Sequence, residues 1–167
     1  EHFGCERILH EADQSSGTRD VERVISGDDP VHLADDLMIL PVPGHTRGSC
    51  VLIYDERVLF SGDHLAWSND RGHLVAFRRA CWYDWDRLKD SMARLARYRF
   101  EWVLPGHGWP CRFPPADMAR ELQRCQDWME TLCPRGAVEP RAPSATVAVE
   151  RSNTVEAGVS RSAQPRS

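Results

Sequence analysis

The segment spanning residues 41–63, PVPGHTRGSCVLIYDERVLFSGD, limits what this chain can fold into more than any other part of it. Two apolar runs of strand length, residues 50–54 and 58–60, are joined by the polar turn Asp55-Glu56-Arg57, the pattern of a β-hairpin. Reactive side chains flank this hairpin. His45 precedes it on the turn Pro43-Gly44-His45-Thr46, and Asp63 follows it directly after Ser61-Gly62. A second histidine turn, Leu104-Pro105-Gly106-His107-Gly108, ends the apolar run 102–104. Two histidines and an aspartate, each where a strand gives way to a glycine-containing loop, read as a metal-ligand set, and imidazole with carboxylate suits zinc or iron. Taken singly, each histidine would be read first as a satisfied turn residue; three such positions in one order favour ligands.

These motifs resemble the metallo-β-lactamase-fold superfamily: Pro43-Gly44-His45-Thr46 with Gly48-Ser49, then Ser61-Gly62-Asp63, then Pro105-Gly106-His107-Gly108. The resemblance covers residues 1–132 and the second half of that fold; the family's first signature, H-x-H-x-D-H, does not occur in the chain. It implies an α/β (α+β) fold, a partial αββα sandwich made mainly of the second sheet with its helices. It also implies that His45 ligates a first metal, His107 a second, and that Asp63 bridges both. Gly44 and Gly106 would let the backbone turn so that each imidazole projects inward, with Thr46 and Ser49 orienting His45. In the family two zinc ions activate water for hydrolysis, and iron occupies the same fold in some oxidoreductases. The family's general-base aspartate belongs to the missing motif, so no catalytic residue is assigned here. Trp82-Tyr83-x-Trp85 together with residues 100–108 is similar to a branch of hydrolase-like proteins of plants, algae and cyanobacteria. Some bacterial relatives of that branch carry a ferredoxin-like domain, whose cluster-binding cysteine run is absent from this sequence.

The 167 residues suit one domain, and 41% hydrophobic residues with six Trp can supply a core. Composition changes after residue 133: residues 134–167 contain no aromatic residue, Leu or Ile, which predicts a disordered tail behind a partial domain at 1–133. The net charge of −4 includes a tail with five Arg and three Glu, so the rest is more acidic still; that excludes a basic nucleic-acid footprint. No apolar run reaches the ~20 residues of a membrane span, and no signal peptide opens the chain. Six cysteines without a C-x-x-C pair read as reduced thiols of an intracellular, soluble protein of cytoplasm or plastid.

Along the chain, residues 5–9, 21–25, 37–42, 50–54, 58–60 and 102–104 are the expected strands, the last of them delivering His107. Residues 11–30 are polar and turn-rich, and 64–83 form an irregular loop with many aromatics and arginines. Asp84 or Asp86 caps a helix reaching about residue 98, with Leu88, Met92 and Leu95 on its apolar face. Pro114-Pro115 opens a second helix whose face carries Met118, Leu122, Cys125 and Met129. His10 is expected to be structural or at the surface, His64 packed or solvated, and His73 exposed. Arg78 and Arg79 are expected to form a solvated face or salt bridges, with an anionic substrate as the alternative.

The expected function is a metal-dependent hydrolase of ester or thioester-type bonds in a small molecule, with metal-bound hydroxide as nucleophile. Without H-x-H-x-D-H, and with Glu rather than Met at position 1, the chain is expected to be a truncated and inactive piece of that enzyme. The alternatives are a non-catalytic remnant or incomplete gene model, and an iron-dependent oxidoreductase of the same fold. The sheet face meant for the missing strands is expected to expose apolar residues among Leu37, Ile39, Val51 and Ile53, and so to promote self-association.

Overall fold

The computed structural model describes residues 4–18 and 20–132. The tail expected at 134–167 and Cys133 lie outside the described residues. In chain order the strands are β1 (Ile8–His10), β2 (Arg23–Ile25), β3 (Val31–Ala34), β4 (Leu37–Pro41), β5 (Cys50–Tyr54), β6 (Val58–Gly62), β7 (Ala66–Ser68), β8 (His73–Val75), β9 (Trp102–Pro105) and β10 (Cys111–Arg112). The helices are α1 (Trp85–Leu95) and α2 (Pro115–Thr131), and short 3-10 turns occupy Glu11–Asp13 and Arg78–Ala80.

The hairpin β5–β6 is the centre of a six-stranded sheet of order β10-β9-β6-β5-β4-β3. Its three-residue loop, Asp55-Glu56-Arg57, puts Asp55 and Glu56 at positive φ, 52° and 47°. A turn of that hand matches the right-handed twist of the paired strands. All neighbours in the sheet are antiparallel except β6 and β9, which run parallel. That parallel pair carries the ends of both strands to the same edge, where Asp63 and His107 follow them.

Register separates the two faces of the sheet. Leu40, Val51, Ile53, Leu59 and Val103 point to one side and are buried. Both helices cover that side. Asp84 caps α1 by accepting a hydrogen bond from Arg87 N at 2.9 Å, and Leu88, Met92 and Leu95 of α1 are buried. Pro115 opens α2, a position where its missing N–H costs nothing, and Met118, Leu122, Cys125 and Met129 are buried along it.

The opposite face is apolar and open. Leu52 pairs with Phe60, and Phe60 with Leu104; Tyr54 pairs with Val58, and Val58 with Trp102. Tyr54, Phe60 and Trp102 are 45%, 43% and 37% exposed. The expectation for this face is corrected in its members. Val51 and Ile53 lie on the covered side, because strand alternation places them beside Leu40 and Leu59. Ile39 shares the open face by register but is buried, and Leu37 is half-buried.

The loop expected at 64–83 is more ordered than composition suggested. It contains the β7–β8 hairpin and the 3-10 turn Arg78–Ala80. His73, expected to be exposed, is buried; its Nδ1 lies 2.6 Å from Leu74 O and its ring meets Trp128 edge-on. Trp128 and His73 are distant in sequence, so no local pattern could reveal the contact. The edge strands β3 and β10 were not expected either; β10 is two residues long, and both are too short to show periodicity.

Candidate metal centre

His45 follows β4 on a turn that wraps the start of α1. Gly44 has φ 150°, and a Cβ there would lie 2.5 Å from Leu88 Cα and 2.8 Å from Leu88 N, so a side chain at 44 is excluded by packing. The turn is closed by Gly44 N donating to Thr46 O at 2.9 Å and Val42 N donating to Ser49 O at 2.7 Å. On its other side the His45 carbonyl accepts from Trp82 N at 3.0 Å and from Tyr83 N at 3.2 Å. The exposed Trp82 indole stacks over the His45 ring at 4.7 Å between centroids.

Asp63 leaves β6 through Gly62, whose φ of 52° suits glycine. Gly106 N donates to Gly62 O at 2.7 Å, tying the second histidine turn to the first carboxylate. The three candidate ligands meet there. His107 Nδ1 donates to Asp63 Oδ1 at 2.6 Å, and His45 Nε2 approaches Asp63 Oδ2 at 3.5 Å. Their settings differ: His45 is buried, Asp63 is half-buried, and the His107 side chain is 79% exposed.

His45 Nδ1 is buried and meets no hydrogen-bond partner among the described residues. His64, next to Asp63, is fully buried with neither ring nitrogen partnered. Burial, with a smaller contribution from neighbouring His45, pushes its pKa down to about 4. His64 is therefore a packed, neutral imidazole at ordinary pH.

In kind, the donors fit a metal: two imidazoles and a carboxylate converge, with His45 Nε2 and His107 Nδ1 turned to Asp63. In number they do not close a shell. The carboxylate stands against both imidazoles, and among the described residues no group of three or more His, Cys, Asp or Glu could hold a metal ion unaided.

Of the remaining expected site residues, Thr46 and Ser49 both work within the His45 turn: Thr46 N donates to Ser49 Oγ at 2.8 Å, and the two hydroxyls are 2.8 Å apart. Arg78 lies over the Trp85 ring at 4.9 Å. His10 is structural, with Nε2 donating to Gly27 O at 2.9 Å and Nδ1 accepting from Ala12 N. Sequence reasoning missed Asp13, whose carboxylate accepts from Thr46 Oγ1 and from Gly48 N. It also missed an open groove of about 480 Å³ beside the turn, lined by Ala12, Asp13, Thr46, Arg47, Trp82 and Tyr83. The five described cysteines form no disulfide with one another, and burial pushes the Cys125 thiol up to about 12. No described helix is long and apolar enough to cross a membrane.

No family model and no curated protein matches the chain. Solved structures do. The BLEG-1 B3 metallo-β-lactamase is 18% identical, with a TM-score of 0.54 over 77% of this chain and 66% of that one. An archaeal metallo-β-lactamase superfamily protein from Sulfolobus tokodaii is 19% identical, with a TM-score of 0.47 over 75% of this chain and 45% of its own. The DIM-1 metallo-β-lactamase is 22% identical, with a TM-score of 0.48 over 66% of this chain and 49% of its own. The chain thus spans about half the length of the latter two. At such identities the likeness concerns the backbone fold alone. The chain has part of the metallo-β-lactamase fold.

Proposed function

We propose that His45, Asp63 and His107 are this chain's contribution to the ligand set of a metal-dependent hydrolase acting on an ester or thioester-type bond of a small molecule. The observation that carries the reading is the meeting of both imidazoles on one carboxylate at the sheet edge, His107 at 2.6 Å and His45 at 3.5 Å. Asp63 turns its two oxygens to two different histidines, which supports reading it as a shared ligand. His45 turns Nε2, the nitrogen at the accessible side of the site, towards that carboxylate. A bound zinc ion would supply Lewis acidity and lower the pKa of a water molecule. This chain's residues would hold that ion and orient it: Gly44 and Gly106 allow the approach, Thr46 and Ser49 stiffen the His45 turn, and Trp82 shields one face of the imidazole.

A second, non-catalytic reading has its own support. Catalytic zinc takes three protein ligands and leaves one position open, whereas sharing Asp63 leaves each of two ions with two ligands from this chain. An iron-dependent oxidoreductase uses the same donor types. Metal analysis after anaerobic loading with zinc or iron, paired with a panel of chromogenic esters, thioesters and lactams, separates the three when run on the chain with an H-x-H-x-D-H segment placed upstream to complete each ion's ligands. Zinc with turnover supports the hydrolase, tight iron with redox activity the oxidoreductase, and neither the non-catalytic reading.

A further inference from the structure

We propose that Asp13 is a positioning residue for His45: from a separate segment, its carboxylate sets the turn that presents the imidazole. This inference rests on the reading of His45 as a metal ligand.

The carboxylate divides its oxygens over the turn. Oδ1 accepts from Gly48 N at 2.8 Å and Oδ2 from Thr46 Oγ1 at 2.5 Å, across 35 and 33 residues of sequence. An ionised carboxylate only accepts, so the direction of the whole chain of hydrogen bonds follows from it. Thr46 Oγ1 gives its single proton to Asp13. It must then accept from the Ser49 hydroxyl at 2.8 Å, and Ser49 Oγ in turn accepts from Thr46 N at 2.8 Å. One acidic group thereby orders three donors, and hydrogen bonds to a charged acceptor are the stronger kind.

Asp13 is itself held. It closes the 3-10 turn Glu11–Asp13, which His10 caps through Ala12 N, and His10 is pinned to Gly27 O. The approach is close enough to dictate residue 48. A Cβ on Gly48 would lie 2.8 Å from Asp13 Cγ and 2.9 Å from His10 Cβ. The His45 turn is therefore gripped from two sides: residues 82–83 hold its carbonyl, and Asp13 holds residues 46–48. The imidazole between these grips faces Asp63.

The test compares the chain with Asp13→Ala, Asp13→Asn and, as a control, Met118→Ala, a core substitution in α2. Three quantities are read: amide exchange of residues 46–49, the 15N shifts of the His45 ring, and zinc affinity by competition with a chromophoric chelator. Asp13→Ala should speed exchange at Gly48, move the His45 ring signals and weaken zinc binding by roughly 10-fold, the lower end for a residue that orients a ligand. Asp13→Asn should recover most of this, since an amide oxygen can still accept from Gly48 N. Met118→Ala should lower the melting temperature without moving the ring signals. Unchanged Gly48 exchange and ring signals in Asp13→Ala would overturn the proposal. So would equal ring shifts in Met118→Ala. If His45→Ala binds zinc as the parent does, the ligand reading fails instead, while exchange and ring signals still judge the grip of Asp13.

Discussion

His107 Nδ1 donates to Asp63 Oδ1 at 2.6 Å across 44 residues of sequence. The parallel pairing of β6 with β9 makes this possible, since it brings Gly62 level with Pro105. The two residues differ in what they risk on substitution. His107 is mostly exposed, so His107→Ala should change stability by less than ~0.5 kcal/mol while reducing bound zinc. Thermal melting and metal analysis of the same samples check this. Zinc retained at the parental level would remove His107 from the ligand set.

Turnover should be absent from the 167-residue chain even with zinc added, because two ligands per ion fall short of the three a catalytic zinc uses. Placing an H-x-H-x-D-H segment upstream should bring activity, and His45→Ala should then abolish it. The check is the chromogenic panel on both proteins with metal content measured in parallel. Turnover by the short chain with stoichiometric zinc would show that other residues complete the shell.

The open sheet face should bind a hydrophobic dye and drive self-association. Tyr54, Phe60 and Trp102 form an exposed apolar set on it, and patches of this kind favour association. Phe60→Thr should lower both dye fluorescence and the sedimenting mass, and threonine keeps the β-branching that strands favour. A parent chain that is monomeric and dye-silent contradicts this prediction.

Leu88 joins α1 to the His45 turn. It is fully buried, and its backbone occupies the space a side chain on Gly44 would need. Leu88→Ala should cost about 2–5 kcal/mol, read from denaturant unfolding. Gly44→Ala should move α1 or the turn, and should reduce metal binding as well as stability.

Glu22 gives stability a pH dependence. Hydrogen bonds from the Arg7 side chain and backbone hold its carboxyl well down, at about 2. A depressed folded value means the contribution is complete above the ordinary carboxylate range near 4.5 and fades as pH falls from there towards 2. The pair is exposed, so the effect is small. Glu22→Gln should melt below the parent at pH 7, and the difference should vanish near pH 2. A difference that persists unchanged at low pH would assign it to packing.

Much of the architecture was legible in local patterns. Residues 50–54 and 58–60 are two apolar runs of strand length with a polar turn between them, and β5 and β6 form there. Leu88, Met92 and Leu95, like Met118, Leu122, Cys125 and Met129, repeat with helical spacing, and both helices bury those residues. The turns bearing His45, Asp63 and His107 were readable because glycine next to a polar ligand type is a local signal.

Which residues face each other was not local. Alternation says that Val51 and Leu52 point to opposite sides; only the helices choose which side is the core, and they chose Val51. His73 was read as exposed because it falls in the loop 64–83, yet Trp128 from α2 covers it. Asp13 sits in a polar, turn-rich stretch where an acid is unremarkable, and its meaning comes from a turn 33 residues away. The sequence by itself determined the elements and the chemical types available at the sheet edge, since both follow from neighbours along the chain. Tertiary structure decided the face that was covered and the carboxylate that holds the His45 turn, because burial and hydrogen bonding depend on distances that the order of residues does not contain.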